Sequence, residues 1–438
     1  MVKGLVQGIV TSLRQHKLSQ DIAYSLCSFA VLAVSGIVIN VIITALRDAA
    51  ALGVFNLAYA VYIVASQVAT WGLHYSVLRH GAYHADDLRE RTGLLSTAAL
   101  CALLFGCVAA GMLWWAQPLF TRLFSSEAAG TAVAFSAAGL ALFPLNKVLL
   151  AYLNALRCMR AHAVLQALRY ILVMVGVAFV AASDWPAEAA TLSFVMAEAV
   201  TCLSALIFIG AARLSQWPRF SMAWCRRHLA FGSKSLPAGM FTEVNSRVDV
   251  LMIGVFLTDR AVGIYSFAAM LVDGAYHVLA MVRLNFNPVL VAALKQGDWN
   301  RLRSLRSLSA RYAVLATLTL SLGLVAAYGV ADAWIVPGKG LAEGLPSLII
   351  LLIGLNLIAT WVPFDNLMLV SGHPGYQTLQ QLMAVGVNVA CAAWLLPLWG
   401  LEGAAMGTAL SYVTGIAVLF ILARRKIGWH LISNTFRN

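Results

Sequence analysis

Apolar runs long enough to cross a lipid bilayer recur through nearly the whole chain, and no other property restricts its folding as strongly. A span needs about 20 apolar residues. Runs of that kind lie near 22–46, 50–76, 93–116, 131–153, 164–183, 190–212, 235–257, 261–284, 312–336, 345–370, 377–398 and 403–423. The bilayer core offers no water to backbone N–H and C=O groups, so each run must be helical. The reading is an all-α polytopic membrane protein with about 12 transmembrane helices. Composition agrees: 11% of residues are charged, against about 25% in soluble domains. No polar stretch reaches the roughly 50 residues of a separate soluble domain.

The net charge of +12 would suggest nucleic-acid binding in a soluble protein. Here the basic residues lie mostly between spans, and nothing resembles a nucleic-acid reader module. The N-terminal tail, the Arg79–Arg91 loop, the Arg157–Arg160 loop, the Arg213–Lys234 and Lys295–Arg311 segments and the Arg424–Lys426 tail are basic. The alternate connections hold only Arg47, Arg122, Arg260 and Lys339. One turn on the basic side, Ser371-Gly-His-Pro-Gly, carries no Lys or Arg. By the positive-inside rule both termini are cytoplasmic, which agrees with an even number of spans, and anionic headgroups are the natural partner of the basic side. Lys3, Arg14 and Lys17 precede an apolar run longer than the about 7–15 residues of a signal sequence, so Ile22 to about Leu46 reads as the first span.

The longest cytoplasmic connection separates six spans from six. The expected organisation is a tail at 1–21, one six-helix half at 22–212, a connection at 213–234, a second half at 235–423 and a tail at 424–438. Equal halves suggest an internal repeat. Leu46-Arg-Asp-Ala-Ala-Ala-Leu-Gly-Val-Phe-Asn-Leu-Ala is similar to Leu257-Thr-Asp-Arg-Ala-Val-Gly-Ile-Tyr-Ser-Phe-Ala-Ala, allowing one gap. Each half starts in the cytoplasm, so parallel repeats are expected. Pro144, Pro237, Pro363 and many glycines lie in or beside spans; ordinary membrane-helix usage and breaks beside a cavity both account for them. Of the seven cysteines, Cys27, Cys101, Cys107, Cys202 and Cys391 lie in spans, and Cys158 and Cys225 in cytoplasmic segments. None forms a C-x-x-C pair, which argues against a disulfide framework or metal site and reads them as small hydrophobes.

The span at 235–257 is unusual in holding Glu243, Arg247 and Asp249 near its middle. A charge at that depth costs about 2.5–3.5 kcal/mol, so such groups face protein or a watery cavity. On a straight helix, at about 100° per residue, Glu243 and Arg247 share a face and can pair, while Asp249 lies about 200° from Arg247 beside Thr242 and Asn245. Asp273 and His277, again four apart, are a candidate proton-carrying pair. Lys147, Arg169, Glu198 and Asp365 are also embedded. Each has a simpler reading: Glu243–Arg247 as a closed structural pair, Lys147 snorkelling, Arg169 and Arg283 as interfacial anchors, Asp365 as a cap beside Pro363, and His74, His277 and His373 as plain polar contacts. No Walker A sequence, His-Glu-x-x-His or Gly-x-Ser-x-Gly is present, so no enzymatic activity is expected.

Several stretches resemble the polysaccharide-transporter branch of the multidrug/oligosaccharidyl-lipid/polysaccharide exporter superfamily. These are Asp48-Ala-Ala-Ala-Leu-Gly-Val-Phe-Asn-Leu-Ala-Tyr-Ala with Gly72-Leu-His-Tyr-Ser-Val-Leu-Arg, then Asp259-Arg-Ala-Val-Gly-Ile-Tyr-Ser. Ser371-Gly-His-Pro-Gly-Tyr, Asn388 and Leu396-Pro-Leu-Trp-Gly-Leu-Glu-Gly-Ala-Ala-Met-Gly-Thr-Ala follow. The resemblance covers nearly the whole chain and is nearest Wzx-type O-antigen or capsule-unit flippases. Lipid II flippases are similar but usually carry two further helices. It implies two six-helix halves in a V around a central cavity, in the bacterial cytoplasmic (inner) membrane. The implied activity is flipping of undecaprenyl-diphosphate oligosaccharides to the periplasmic leaflet by alternating access, for O-antigen, capsule or exopolysaccharide. The implied partners are that glycolipid, membrane lipids and other polysaccharide-assembly proteins. No cofactor or metal is expected; a proton or sodium gradient is a candidate driving force. Arg247, with Lys147 and Arg169, then becomes the candidate diphosphate site. Glu243, Asp273, His277, Asp249, Asp365 and Glu198 become candidates for ion coupling or pairing. Asn40, Asn56, Tyr59, Gln67 and Trp71 become candidate sugar contacts. The competing readings are a cation or drug antiporter on the same fold and a membrane polymerase or ligase. The embedded Arg247 and Lys147 oppose an antiporter with an acidic cavity, and the short outward loops oppose the enzyme.

Overall fold

The computed structural model describes residues 2–436. In chain order the helices are α1 (Val2–Leu46), α2 (Ala49–Thr70), α3 (Leu73–Tyr83), α4 (Leu88–Trp115), α5 (Gln117–Leu123), α6 (Glu127–Leu140), α7 (Phe143–Ala155) and α8 (Met159–Ala182). Then come α9 (Leu192–Ala211), α10 (Met222–Asn245), α11 (Val248–Phe256), α12 (Asp259–Gln296), α13 (Trp299–Val330), α14 (Leu345–Ile358), α15 (Leu367–Val370) and α16 (Pro374–Lys426). A short antiparallel hairpin, β1 (Trp429–His430) with β2 (Thr435–Phe436), follows. The expected all-α architecture is present. Among the described residues nine helices are long and apolar enough to cross a membrane, or ten counting the bent pair α6–α7 as one span. Exposed tryptophans sit at or just beyond helix ends and at a bend, at Trp115, Trp185, Trp334 and Trp399, as interfacial aromatic residues do.

Two compact units are present. The first holds Met1–Ile39, Tyr62–Pro118 and Thr131–Pro237; the second holds Asn40–Val61, Leu119–Gly130 and Ala238–Asn438. The first unit is built on α3, α4 and α7, whose buried Leu73, Val77, Leu94, Ala98, Leu149 and Tyr152 form one apolar core with Trp224 of α10. Polar contacts tie the connecting segment to α4. Thr92 Oγ1 accepts from Gln216 N (3.0 Å) and Thr97 Oγ1 accepts from Ser221 N (3.0 Å). Ser96 Oγ donates to Arg219 O (2.6 Å), and Trp224 Nε1 donates to Glu90 (3.1 Å). His228 is buried, with Nε2 at 3.2 Å from Leu94 O and Nδ1 at 2.8 Å from Ser76 Oγ. A carbonyl can only accept, so Nε2 carries the proton and Nδ1 accepts from the serine.

Several runs expected as single straight spans are broken. The run at 50–76 breaks at Trp71-Gly72, both with positive φ (48° and 65°). The run at 131–153 bends by 44° between α6 and α7. The run at 235–257 breaks at Ser246-Arg247, between α10 and α11. In α16 the chain reverses at Gly400 (φ 57°, ψ −131°), a backbone conformation essentially confined to glycine. The two arms pack on each other through glycines: a Cβ on Gly403 would lie 2.3 Å from Leu395 O, and one on Gly407 3.2 Å from Ala392 N. These arms are the runs expected at 377–398 and 403–423.

In the second unit the two repeat-like stretches meet each other. A Cβ on Gly53 of α2 would lie 1.8 Å from Asp259 O of α12, and one on Gly263 of α12 would lie 1.8 Å from Ala49 O of α2. The contact is reciprocal and fixes the correspondence of the two stretches without a gap. Asp48 accepts from Ala51 N (2.8 Å) and Thr258 accepts from Ala261 N (3.4 Å), so these two residues cap their helices equivalently. The one-gap alignment pairs Gly53 with Gly263 as the contact does, and only its positions before the gap, where Asp48 is set against Asp259, are shifted by one residue. Asp259 instead accepts from Ser126 Oγ at 2.6 Å.

The C-terminal hairpin is a packed part of the second unit. Trp429 is fully buried against Phe364 (ring centroids 5.7 Å apart). Arg306 of α13 donates from Nε to Leu431 O (3.1 Å), and Asn434 donates to Arg303 O (3.0 Å).

Candidate functional site

Each unit holds its own buried polar cluster. In the first, Glu198 of α9 is buried and surrounded by donors from three other helices. Asn146 of α7 donates Nδ2 to Glu198 Oε2 (2.7 Å) and to its backbone oxygen (2.8 Å). Tyr62 of α2 donates to Oε1 (3.4 Å), and Arg169 of α8 forms an ion pair with Oε1 (3.5 Å). The Arg169 guanidinium also lies over the rings of Phe143 (5.2 Å) and Tyr170 (4.9 Å). Lys147 places its ammonium 5.5 Å from the Phe143 ring centroid. Arg169 is thus an interior residue held by a carboxylate, where an interfacial anchor was the simpler expectation. Gln67 is buried in this unit, and Trp71 donates Nε1 to Ser233 Oγ (3.2 Å) on the connecting helix.

The second unit's cluster is built around the break between α10 and α11. Arg247 closes a turn onto Val244 O (3.1 Å) and precedes the first residue of α11. Its guanidinium lies over the Tyr59 ring at 5.0 Å. The carboxylates of Asp273, Asp249 and Glu243 act on it electrostatically, with Asp273 the strongest of the three. Arg247 Nε and Asn245 Oδ1 are buried with no hydrogen-bond partner among the described residues. Asp249 is buried and accepts from Tyr265 Oη (2.8 Å) and from the backbone N–H of Val250 (2.8 Å). The helix ends at Asn245, so straight-helix angles do not apply across this stretch: Glu243 acts on Arg247 as its spacing suggested, and Asp249, which those angles set apart, does so as well. The side chain of Thr242 lies outside the described residues.

His277 donates Nδ1 to the backbone oxygen of Asp273 (2.6 Å), and its imidazole and the Asp273 carboxylate also act on each other electrostatically. Asn40 and Asn56 come together in this unit, with Asn56 Nδ2 3.2 Å from Asn40 Oδ1. Asp365 follows the turn Val362–Phe364 as its C-cap, with its N–H donating to Val362 O (3.1 Å), and its side chain does more. It pairs with Arg283 (2.9 Å) and accepts from Gln380 (2.7 Å), and Arg283 also reaches Tyr276 Oη (3.3 Å). That pair joins residues 82 positions apart, and no local spacing in the sequence signals it.

Residues 42–327 match the family described as polysaccharide biosynthesis protein. No curated protein matches the chain at a significant level. Among solved structures, the chain is similar to an inward-facing multidrug resistance MATE family transporter of the MOP superfamily. The TM-score is 0.72 at 14% identity, covering 92% of this chain and 98% of that one. It is also similar to the lipid II flippase MurJ in an inward closed conformation (TM-score 0.74, 13% identity, 92% and 87% covered). A third is a MOP superfamily transporter from Pyrococcus furiosus with a binding pocket of reverse polarity (TM-score 0.60, 14% identity, 94% and 95% covered). The fold is that of a MOP-superfamily transporter, and the chain is a multi-pass membrane protein. It belongs to the polysaccharide biosynthesis protein family.

Proposed function

We propose that the chain flips a lipid-linked oligosaccharide, carried on undecaprenyl diphosphate, from the cytoplasmic to the periplasmic leaflet of the bacterial inner membrane. The glycan would enter O-antigen, capsule or exopolysaccharide. The observation that carries this reading is Arg247: a guanidinium at a helix break within an apolar span, on the face of Tyr59, with Nε buried and without a hydrogen-bond partner among the described residues. A guanidinium suits a diphosphate because its planar fork donates in parallel to two oxygens and stays charged. Counting the arms of α16 separately, and α2–α3, α6–α7 and α10–α11 as broken spans, twelve crossings with both termini cytoplasmic is the topology we propose.

Ion coupling follows from the same electrostatics. A diphosphate arriving at Arg247 brings negative charge toward Asp273, Asp249 and Glu243. Like charges at short range are unfavourable, so binding would favour uptake of a proton or sodium ion by those carboxylates. The lipid II flippase MurJ shares the fold, which supports a lipid-linked cargo. The acids around Arg247 also support a second reading, a cation or drug antiporter.

The test is reconstitution in vesicles with a defined lipid-diphosphate glycan. Wild type should translocate it, Arg247→Ala should lower the rate at least about tenfold, the loss of a charged hydrogen bond, and Arg247→Lys should retain part of it. Normal translocation by Arg247→Ala at normal membrane level removes the phosphate role. Failure of wild type to move the glycolipid, together with drug-for-cation exchange, selects the antiporter.

A further inference from the structure

Cys101 and Cys225 are 124 positions apart in sequence, yet their sulfurs lie 3.8 Å apart in the first unit. Cys101 is buried in α4; Cys225 is half-buried on α10, at the start of the connecting helix. Their scattered positions in the sequence gave no sign of a pair. The frame around them is held in place by contacts on both sides of Cys225. Ser221 N donates to Thr97 Oγ1 (3.0 Å) before it, and His228 Nε2 donates to Leu94 O (3.2 Å) after it. Trp224 Nε1, one residue away, donates to Glu90 (3.1 Å). At 3.8 Å the two sulfurs are in contact, and closing to the about 2.05 Å of a disulfide calls for rotation about the cysteine side-chain bonds.

We propose that Cys101 and Cys225 are a redox modification site, closing to a reversible disulfide when the protein meets a peroxide. Cys225, the more exposed thiol, reacts first. Its thiolate attacks the peroxide O–O bond, takes one oxygen as a sulfenic acid and releases water after protonation. The Cys101 sulfur then attacks the Cys225 sulfur, the S–S bond forms, and the sulfenic oxygen leaves as a second water. Overall, two thiols and one hydrogen peroxide give one disulfide and two waters, with two electrons passing from sulfur to peroxide. A dithiol reductant returns both thiols by exchange. The bond makes the attachment of the connecting helix to α4 covalent. Cytosolic thiol pools hold such pairs reduced in the resting cell, so the bridge is a response to oxidant rather than a constitutive staple.

The experiment uses the purified full-length protein in detergent, treated with hydrogen peroxide, alkylated, digested and mapped by mass spectrometry. The Cys101 and Cys225 peptides should appear cross-linked, about 2 Da lighter than the two thiol peptides together, as two hydrogens are lost per bridge. Dithiothreitol should restore both alkylation sites. Cys158, half-buried in the Arg157–Arg160 loop outside the spans, serves as an internal control for reagent access. In Cys101→Ser the cross-link should vanish and Cys225 should accumulate as sulfenic and sulfinic acid; in Cys225→Ser, Cys101 should stay a thiol. The proposal is overturned if Cys158 is oxidised while the Cys101 and Cys225 peptides stay unlinked. It is equally overturned if Cys225 of wild type goes to sulfinic acid as fast as in Cys101→Ser. The wild-type readout alone decides the matter if a variant fails to fold.

Discussion

Arg169 and Glu198 illustrate how a membrane interior accepts charge at the level of single residues. Glu198 has a cation and two neutral donors at its carboxylate, so neither member of the pair is left without a partner. Removing one should cost far more than removing both. Arg169→Ala should destabilise the protein by about 3–5 kcal/mol, and Arg169→Ala/Glu198→Ala by less, as read from thermal midpoints in detergent. A double variant no more stable than Arg169→Ala would show that the pair is not the source of the loss. His228 makes a different prediction. Burial, with His80 as a lesser electrostatic neighbour, pushes its imidazole down from 6.5 to about 4. The unfolded or undocked histidine takes up a proton near 6.5 while the docked one stays neutral. Its contribution is therefore intact above pH 6.5 and is lost as the pH falls toward 4, by about 3 kcal/mol in all. Hydrogen exchange over residues 222–234 should accelerate across that window in wild type. A variant with neutral His228→Gln should lack that window. The embedded Arg247 was legible in the sequence from the cost of burying it. The Arg283–Asp365 pair was not, because its members come from segments whose meeting depends on packing.

Helices in this protein are informative where they stop. The geometry assigned to Glu243, Arg247 and Asp249 assumed one helix through 235–257, and apolar content gave no reason to break it. Val244 to Arg247 nevertheless forms a turn, and the three charges are redistributed around it. A similar limit applied to the repeat. Matching Asp to Asp suggested a gap, whereas equivalent caps and the reciprocal glycine contact place Asp48 with Thr258 and Gly53 with Gly263. Because each missing Cβ would lie 1.8 Å from a backbone oxygen, neither helix has a flexible side chain that could yield. Gly53→Ala and Gly263→Ala should each destabilise by about 1–3 kcal/mol, as overpacking does, and by similar amounts, since the contact is mutual. A thermal midpoint for either variant equal to wild type would show that α2 and α12 separate there without cost.

The C-terminal hairpin matters to the molecule as a whole because it closes the end of the chain onto the second unit. Expected as part of a basic tail, it instead buries Trp429 on Phe364 and takes donors from Arg306. Trp429→Ala should cost about 3–5 kcal/mol, as large-to-small core changes do, and should make the segment after Lys426 sensitive to protease in vesicles. Resistance equal to wild type would mean the hairpin is held by its backbone contacts alone. Composition and hydropathy by themselves determined that this chain is an all-helical, multi-pass membrane protein, because a bilayer allows an apolar run hardly any other way to satisfy its backbone. Residue order further carried the family, through motifs spread along the chain. Only the tertiary structure decided which charges meet, where spans break, and that two distant thiols are neighbours. Those outcomes depend on contacts between residues far apart in sequence, which local periodicity does not encode.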